Sequence, residues 1–223
     1  RGTAYPVLLP TIRDPRLHLA SIIVTLQVLG QVAFDFQLSI AQILAHGIAK
    51  APAQEIVYVD RLRYNYSTLD ERVRRLAFAL SKLGVKRGST VAVMDWDSHR
   101  YLECFFAVPM MGAVLHTVNI RISPEQVLYT INHAQDDVIL VNAEFLPLLE
   151  SIHAKIRPGV KLVLINDGMA APQTKLPFDA EYESMLADAL PEFAFPSLDE
   201  DTRATTFYTT CTTGLPKGVY YSH

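Results

Sequence analysis

Residues 208–223 read YTTCTTGLPKGVYYSH, and this stretch holds the densest chemistry in the chain. Thr209, Thr210, Thr212 and Thr213 supply hydroxyl donors, and free backbone N–H groups in a tight turn can form an anion nest around phosphate oxygens. Gly214 and Gly218 let the backbone approach a ligand closely or adopt positive φ. Lys217 adds a flexible point charge able to follow a polyphosphate. The order is not that of the usual P-loop, G-x-x-x-x-G-K-[ST], and no dinucleotide fingerprint is present. A Thr-rich surface turn with a chance lysine is the plain alternative. The ordered string Thr-Thr-Gly-x-Pro-Lys-Gly argues against it and for a phosphate-binding loop. Cys211 interrupts the threonines; as a nucleophile it lacks an identifiable partner base, although Lys217 nearby would lower its pKa.

The elements that must carry this loop can be read from hydrophobic patterning. Residues 55–60 (EIVYVD) and 62–66 (LRYNY) predict a small hairpin, and Ser67 or Thr68 a helix cap. Leu69, Val73, Leu76, Leu80 and Leu83 follow at helical spacing, and Gly84 supplies the stop. Strands are expected at 90–95, 114–119, 137–142, 161–166 and 204–209, and helices at 101–111, 124–134, 144–156 and 180–190. Ser123, Pro124 and Gln126 give the second of these strands' crossovers a marked helix start. Strands separated by helices of this length imply an α/β fold with a doubly wound, mostly parallel sheet.

Composition excludes several classes. The net charge of −3 and scattered basic residues leave no nucleic-acid footprint; the cluster Arg72, Arg74 and Arg75 is expected to form a solvated helix face. Cys104 and Cys211 are the only cysteines, with no CxxC or Cys/His ligand spacing, so neither a disulfide framework nor a metal site is expected and a reducing cytosol fits. Residues 17–34 are apolar and almost uncharged, and borderline in length for a bilayer span, which leaves open a surface-lying extension or peripheral membrane contact. Trp96, Tyr101, Phe105 and Phe106 are expected in the core, with an acyl tunnel as the alternative. His99, His116 and His133 are expected to be structural or surface residues, and Asp95 and Asp97 a strand-end turn rather than metal ligands. His223 either touches substrate or does not; the sequence does not decide.

Residues 208–219 resemble the phosphate-binding signature of the adenylate-forming superfamily, which includes acyl-CoA synthetases, luciferases and peptide-synthetase adenylation domains. Residues 99–103 (HRYLE), 116–119 (HTVN) with Arg121, Glu125–Gln126 and 129–134 (YTINHA) are similar to bacterial medium- and long-chain fatty acyl-CoA synthetases. The resemblance covers residues 30–223, the N-terminal portion of an AMP-binding adenylation domain, and leaves 1–29 as an extension. It implies an AMP-forming acid–thiol ligase that uses ATP, Mg²⁺ and coenzyme A to convert a fatty acid, through acyl-adenylate, to acyl-CoA. Carried over by position, Thr209, Thr210, Cys211, Thr212, Thr213 and Gly214 would line the β- and γ-phosphates, and Lys217 would steady the departing pyrophosphate. A cytoplasmic enzyme, free to form a homodimer, is implied. Cys211 stands where the family pattern has glycine, so a degenerate, non-catalytic adenylate-binding protein stays open, as does a ligase for aryl or amino acids. The family's acidic residue for Mg²⁺, its ribose aspartate and its C-terminal lysine would all follow His223, so these residues alone are expected to be inactive.

Overall fold

Strand and helix alternate through the described residues, 37–168, 173–209 and 214–223 of the computed structural model. The apolar segment 17–34 and four loop residues, Thr210, Cys211, Thr212 and Thr213, lie outside them, as does the expected boundary at 29/30. The compact unit described below is Leu38–His223. It opens with helix α1 (Ile40–Lys50) and the antiparallel hairpin β1 (Glu55–Tyr58) and β2 (Leu62–Asn65).

Helix α2 (Tyr66–Lys82) starts two or three residues earlier than expected. Asn65, not Ser67 or Thr68, is the cap: its Oδ1 accepts from Thr68 N at 2.9 Å. The helix stops at Gly84 as expected, with φ of 96°. Gly84 N–H donates to Ser81 O and Val85 N–H to Leu80 O, which closes the last turn with two reciprocal bonds.

The crossovers then follow in order. Strand β3 (Thr90–Met94) leads to α3 (His99–Met110), β4 (Val114–Thr117) to α4 (Pro124–Ala134), and β5 (Val138–Asn142) through a short 3₁₀ turn to α5 (Leu146–His153). Strand β6 (Lys161–Ile165) is followed by a two-residue strand β7 (Ala180–Glu181) and α6 (Tyr182–Asp188). The helix expected at 180–190 therefore begins with a strand, because Ala180 and Glu181 pair with Val163 and Leu164. Ser123 and Gln126 form the full capping box at α4.

Among the described residues the main sheet has seven strands in the order β7-β6-β5-β3-β4, then β8 (Arg203–Thr209) and β9 (Lys217–Ser222). All neighbours are parallel except β8 and β9. Alternation along each central strand sorts its side chains to two faces. Val91, Val93, Leu115, Leu140 and Val163 pack under α1, α2, α3 and α6. Ala92, Met94, Ile139, Val141 and Leu162 pack under α4 and α5. The sheet is doubly wound, with helices on both faces. No helix among the described residues is long and apolar enough to cross a membrane.

The arginine cluster is not a solvated face. Arg72 donates through Nε to the fully buried Glu103 at 2.6 Å and through Nη2 to Glu183 at 3.0 Å. Arg75 reaches the carbonyls of Leu186 and Ala189 at the end of α6, and Arg74 that of Phe193. The three arginines bind α2 to chain more than a hundred residues away, a role that local patterning does not encode.

Candidate phosphate-binding site

Strand β8 lies beside β4 and runs to the carboxyl edge of the sheet, where ligands gather in open α/β folds. The chain returns as β9, so residues 210–216 form the connection of an antiparallel pair. Thr209 and Lys217 are register partners, and Thr209 Oγ1 donates to Lys217 O at 3.4 Å. The two ends of the loop are thereby pinned together. Both side chains are exposed, and Lys217 makes no ion pair among the described residues, which leaves its ammonium available to an anion. Gly214 is exposed with φ of 105°, where glycine is favoured, and open space surrounds the position of a Cβ. Pro216, just before Lys217, is buried and anchors the returning arm.

Gly218 is used differently from the expectation of positive φ. A Cβ there would stand 3.2 Å from Cε1 and 3.4 Å from Cζ of Tyr208, its register partner on β8. The Tyr208 ring therefore lies directly against the glycine backbone. On its other sides it meets His116 of β4 at 5.2 Å between ring centroids and the edge of His133 of α4 at 5.7 Å. Its hydroxyl and His133 Nδ1 are 2.7 Å apart. Burial, with the nearby Asp136 charge, pushes the Tyr208 hydroxyl up to about 12, so it stays protonated. Beneath it, buried His116 Nδ1 lies 2.8 Å from the buried Asp136 carboxylate, whose pKa burial raises. His99, His116 and His133, expected to be structural or surface residues, each have structural contacts: His99 with Tyr58, His116 with Asp136 and His133 with Tyr208.

A cavity of about 530 Å³ lies elsewhere. It opens at the carboxyl end of β6, with β5, β3 and β4 between it and β8, roughly 19 Å at the usual strand spacing. Its charges are already matched: Arg61 with Asp167, Arg100 with Asp167 and Glu183, Arg72 with Glu103 and Glu183. Burial alone would raise the Glu183 carboxyl, but His99, Arg72 and Arg100 bring it down to about 2. This is an ion-pair network that secures α2, α3 and α6, so the loop between Thr209 and Lys217 is the better candidate for a site.

The remaining candidates resolve individually. Asp95 accepts from Ser98 Oγ and Asn142 Nδ2 and so closes a strand-end turn. Tyr101 and Phe106 pack on the core, but Trp96 and Phe105 are 40% and 41% exposed. Trp96 follows the end of β3 and reaches Glu144 Oε2 at 2.9 Å, so the core reading fails for it and for Phe105. His223 Nδ1 accepts from Ile40 N at 3.2 Å and Nε2 donates to Pro109 O at 3.2 Å. Burial lowers its pKa, consistent with a neutral ring that caps α1, whose Ser39 supplies no side-chain cap. That cap, across 183 residues, has no local signal. No group of three or more His, Cys, Asp or Glu among the described residues could hold a metal ion.

The doubly wound sheet, with Thr209 and Lys217 paired at the edge beyond β4, defines an α/β fold class, and comparison with known proteins gives the family. Residues 44–223 match the AMP-binding enzyme family, and the chain belongs to it. It is 34% identical over 199 residues to the medium-chain-fatty-acid–CoA ligase of Ectopseudomonas oleovorans, covering 87% of this chain and 36% of that protein. It is equally 34% identical over 199 residues to the 3-methylmercaptopropionyl-CoA ligase of Ruegeria lacuscaerulensis, covering 87% of this chain and 37% of that protein. The chain thus spans little more than a third of the length of these relatives. Its fold is similar to that of the anthranilate CoA ligase AuaEII in complex with anthranoyl-AMP, with a TM-score of 0.77 at 21% identity over 86% of this chain and 36% of that one.

Proposed function

We propose that the full-length protein is an AMP-forming acid–CoA ligase acting on a fatty carboxylate. The observation that carries this reading is the pairing of Thr209 with Lys217 at the carboxyl edge of the sheet, in a chain of the AMP-binding family. In the first step a carboxylate oxygen attacks the α-phosphorus of ATP, the bond to the β-phosphate breaks, and pyrophosphate leaves. In the second the coenzyme A sulfur attacks the acyl carbonyl, its proton passes to solvent, and AMP departs. Thr209, Thr210, Cys211, Thr212, Thr213 and Gly214 would surround the β- and γ-phosphates. Lys217 would stabilise the charge that develops on pyrophosphate, the most effective lever for such a transfer. Mg²⁺ would arrive with the nucleotide to neutralise the phosphates. The fatty class of acid is supported by the Ectopseudomonas relative, while the Ruegeria relative acts on a short thioether acid by its name, so chain length is the open variable.

The test is product analysis with ATP, coenzyme A and a panel of fatty, aryl and amino acids, with nucleotide and thioester identified by mass spectrometry. AMP together with a fatty acyl-CoA is the expected result. ADP in place of AMP, or thioester formation confined to aryl or amino acids, would overturn the reading. A second reading, a non-catalytic adenylate-binding protein, is favoured by one residue: Cys211 stands where the family pattern has glycine, and if that position needs positive φ its side chain costs about 1–2 kcal/mol. It predicts no thioester with any acid from a folded protein.

A further inference from the structure

The residues on either side of the phosphate loop are held by a structure that the loop's own chemistry does not require. Tyr208 immediately precedes Thr209, and Gly218 immediately follows Lys217. The two are register partners, and the ring of one rests on the backbone of the other. The same ring is tied by its hydroxyl to His133 in the last turn of α4, a helix on one face of the sheet. Tyr129, one turn earlier in α4, presents its ring at 81° to Tyr208, with centroids 6.5 Å apart. A single side chain therefore touches both arms of the hairpin and a helix of the scaffold.

This arrangement answers a need of the site. Among the described residues β9 has no strand partner other than β8, and its side chains are mostly exposed, so the returning arm has little packing of its own. Backbone hydrogen bonds fix the register of such a ribbon, but not its tilt relative to the sheet. A ring wedged between Gly218 and α4 fixes that tilt. Displacing a positioning group by about 1 Å can lower a rate on the order of a hundredfold, so a brace one residue from each end of the loop has leverage that a distant core residue lacks.

We propose that Tyr208 is a positioning residue: clamped on Gly218 and bonded to His133, it sets the orientation in which Thr209 and Lys217 meet the nucleotide phosphates. The inference rests on the phosphate-loop reading above. It also gives Gly218 a reason to be glycine that differs from that of Gly214: room for the ring rather than positive φ.

The experiment is carboxylate-dependent ATP–pyrophosphate exchange on the full-length protein, with thermal unfolding measured on every variant. Y208F keeps the ring and removes only the hydroxyl. The turnover for exchange should fall about fivefold, the rate equivalent of one ordinary hydrogen bond, with KM for the acid unchanged. The melting temperature should be lowered by no more than about 2–4 °C, so that the protein stays fully folded at the assay temperature. H133A should cause a similar fall, Y208F/H133A should fall no further, and H133N, whose side-chain amide can donate to the tyrosine oxygen, should restore most of the rate. G218A should be the most impaired, and Y208V/G218A should recover part of that loss because the clash is removed. Variants that lose rate only in proportion to lost stability, or a Y208F and H133A pair whose losses multiply, would overturn the brace. K217A separates the two readings. Exchange abolished by K217A but untouched by Y208F and H133A would refute the brace and leave the phosphate loop standing. Exchange untouched by K217A would refute both.

Discussion

Glu103 is the residue whose loss should be felt most in the described unit. It has no exposed surface, and its carboxylate accepts from Arg72 Nε at 2.6 Å, Arg72 Nη2 at 3.2 Å, Tyr182 Oη at 2.7 Å and Tyr64 Oη at 3.2 Å. Glu103→Gln preserves the volume but replaces one acceptor with an NH₂ that must face the guanidinium and, whichever way it turns, the hydroxyl of Tyr64 or Tyr182. Breaking one half of a buried ion pair costs about 3–5 kcal/mol. Arg72 keeps Glu183 as a second partner and is 21% exposed, which places the loss at the lower end, about 3 kcal/mol. For a unit of this size that corresponds to roughly 6–12 °C in melting temperature. Urea and thermal unfolding of Glu103→Gln, Arg72→Met and the double variant give the full cycle. The double variant should be more stable than the sum of the single losses implies, by at least about 1 kcal/mol, because it leaves no isolated charge. A Glu103→Gln loss below about 1 kcal/mol, or strictly additive losses, would show that the pair does not secure the helices.

Glu183 and two left-handed positions extend the reasoning. The folded pKa of Glu183 is depressed to about 2, so its contribution is complete above the ordinary carboxylate range and is lost as pH falls toward 2. Glu183→Gln should therefore lower stability at neutral pH and make the acid limb of the stability–pH curve shallower by up to one proton; parallel curves would contradict this. Gly84 has φ of 96° with nothing near its Cβ position, whereas Gln135, which ends α4, carries φ of 57° with a full side chain. Gly84→Ala should cost about 1 kcal/mol and Gln135→Gly should recover up to that amount, measured as urea midpoints at constant slope; effects of the opposite sign at either site would refute the backbone argument.

Much of the scaffold was legible because its signals are local. The short apolar runs TVAVM and VILVN, the Ser123–Gln126 box and the glycine stop at 84 each act within a few residues, and each appears where patterning puts it. The start of α2 was less legible: Asn65, Ser67 and Thr68 all have capping chemistry, and only the backbone path selects Asn65. Arg72 beside Glu71 looks like a surface helix residue until α3 brings Glu103 underneath it. Trp96 looks like core from its type, but it follows the end of β3 and points to the rim. In the candidate site the sequence motif singled out Thr209, Gly214 and Lys217, yet gave no sign that Tyr208 meets His133, because a helix and a strand separated by 75 residues create that contact. Strand β9 was hidden for a related reason: KGVYYS reads as the tail of a motif, and its strand character comes from pairing with β8.

The central claim, that the loop between Thr209 and Lys217 holds the phosphates of ATP during acid activation, is tested most directly by exchange of labelled pyrophosphate into ATP, with a fatty acid present and coenzyme A absent. Wild-type full-length protein should catalyse exchange that depends on the acid, and Lys217→Ala should reduce it by at least about a hundredfold, the scale of losing one preorganised charge contact in a transition state, while remaining folded. Acid-dependent exchange that survives Lys217→Ala at the wild-type rate would contradict the account.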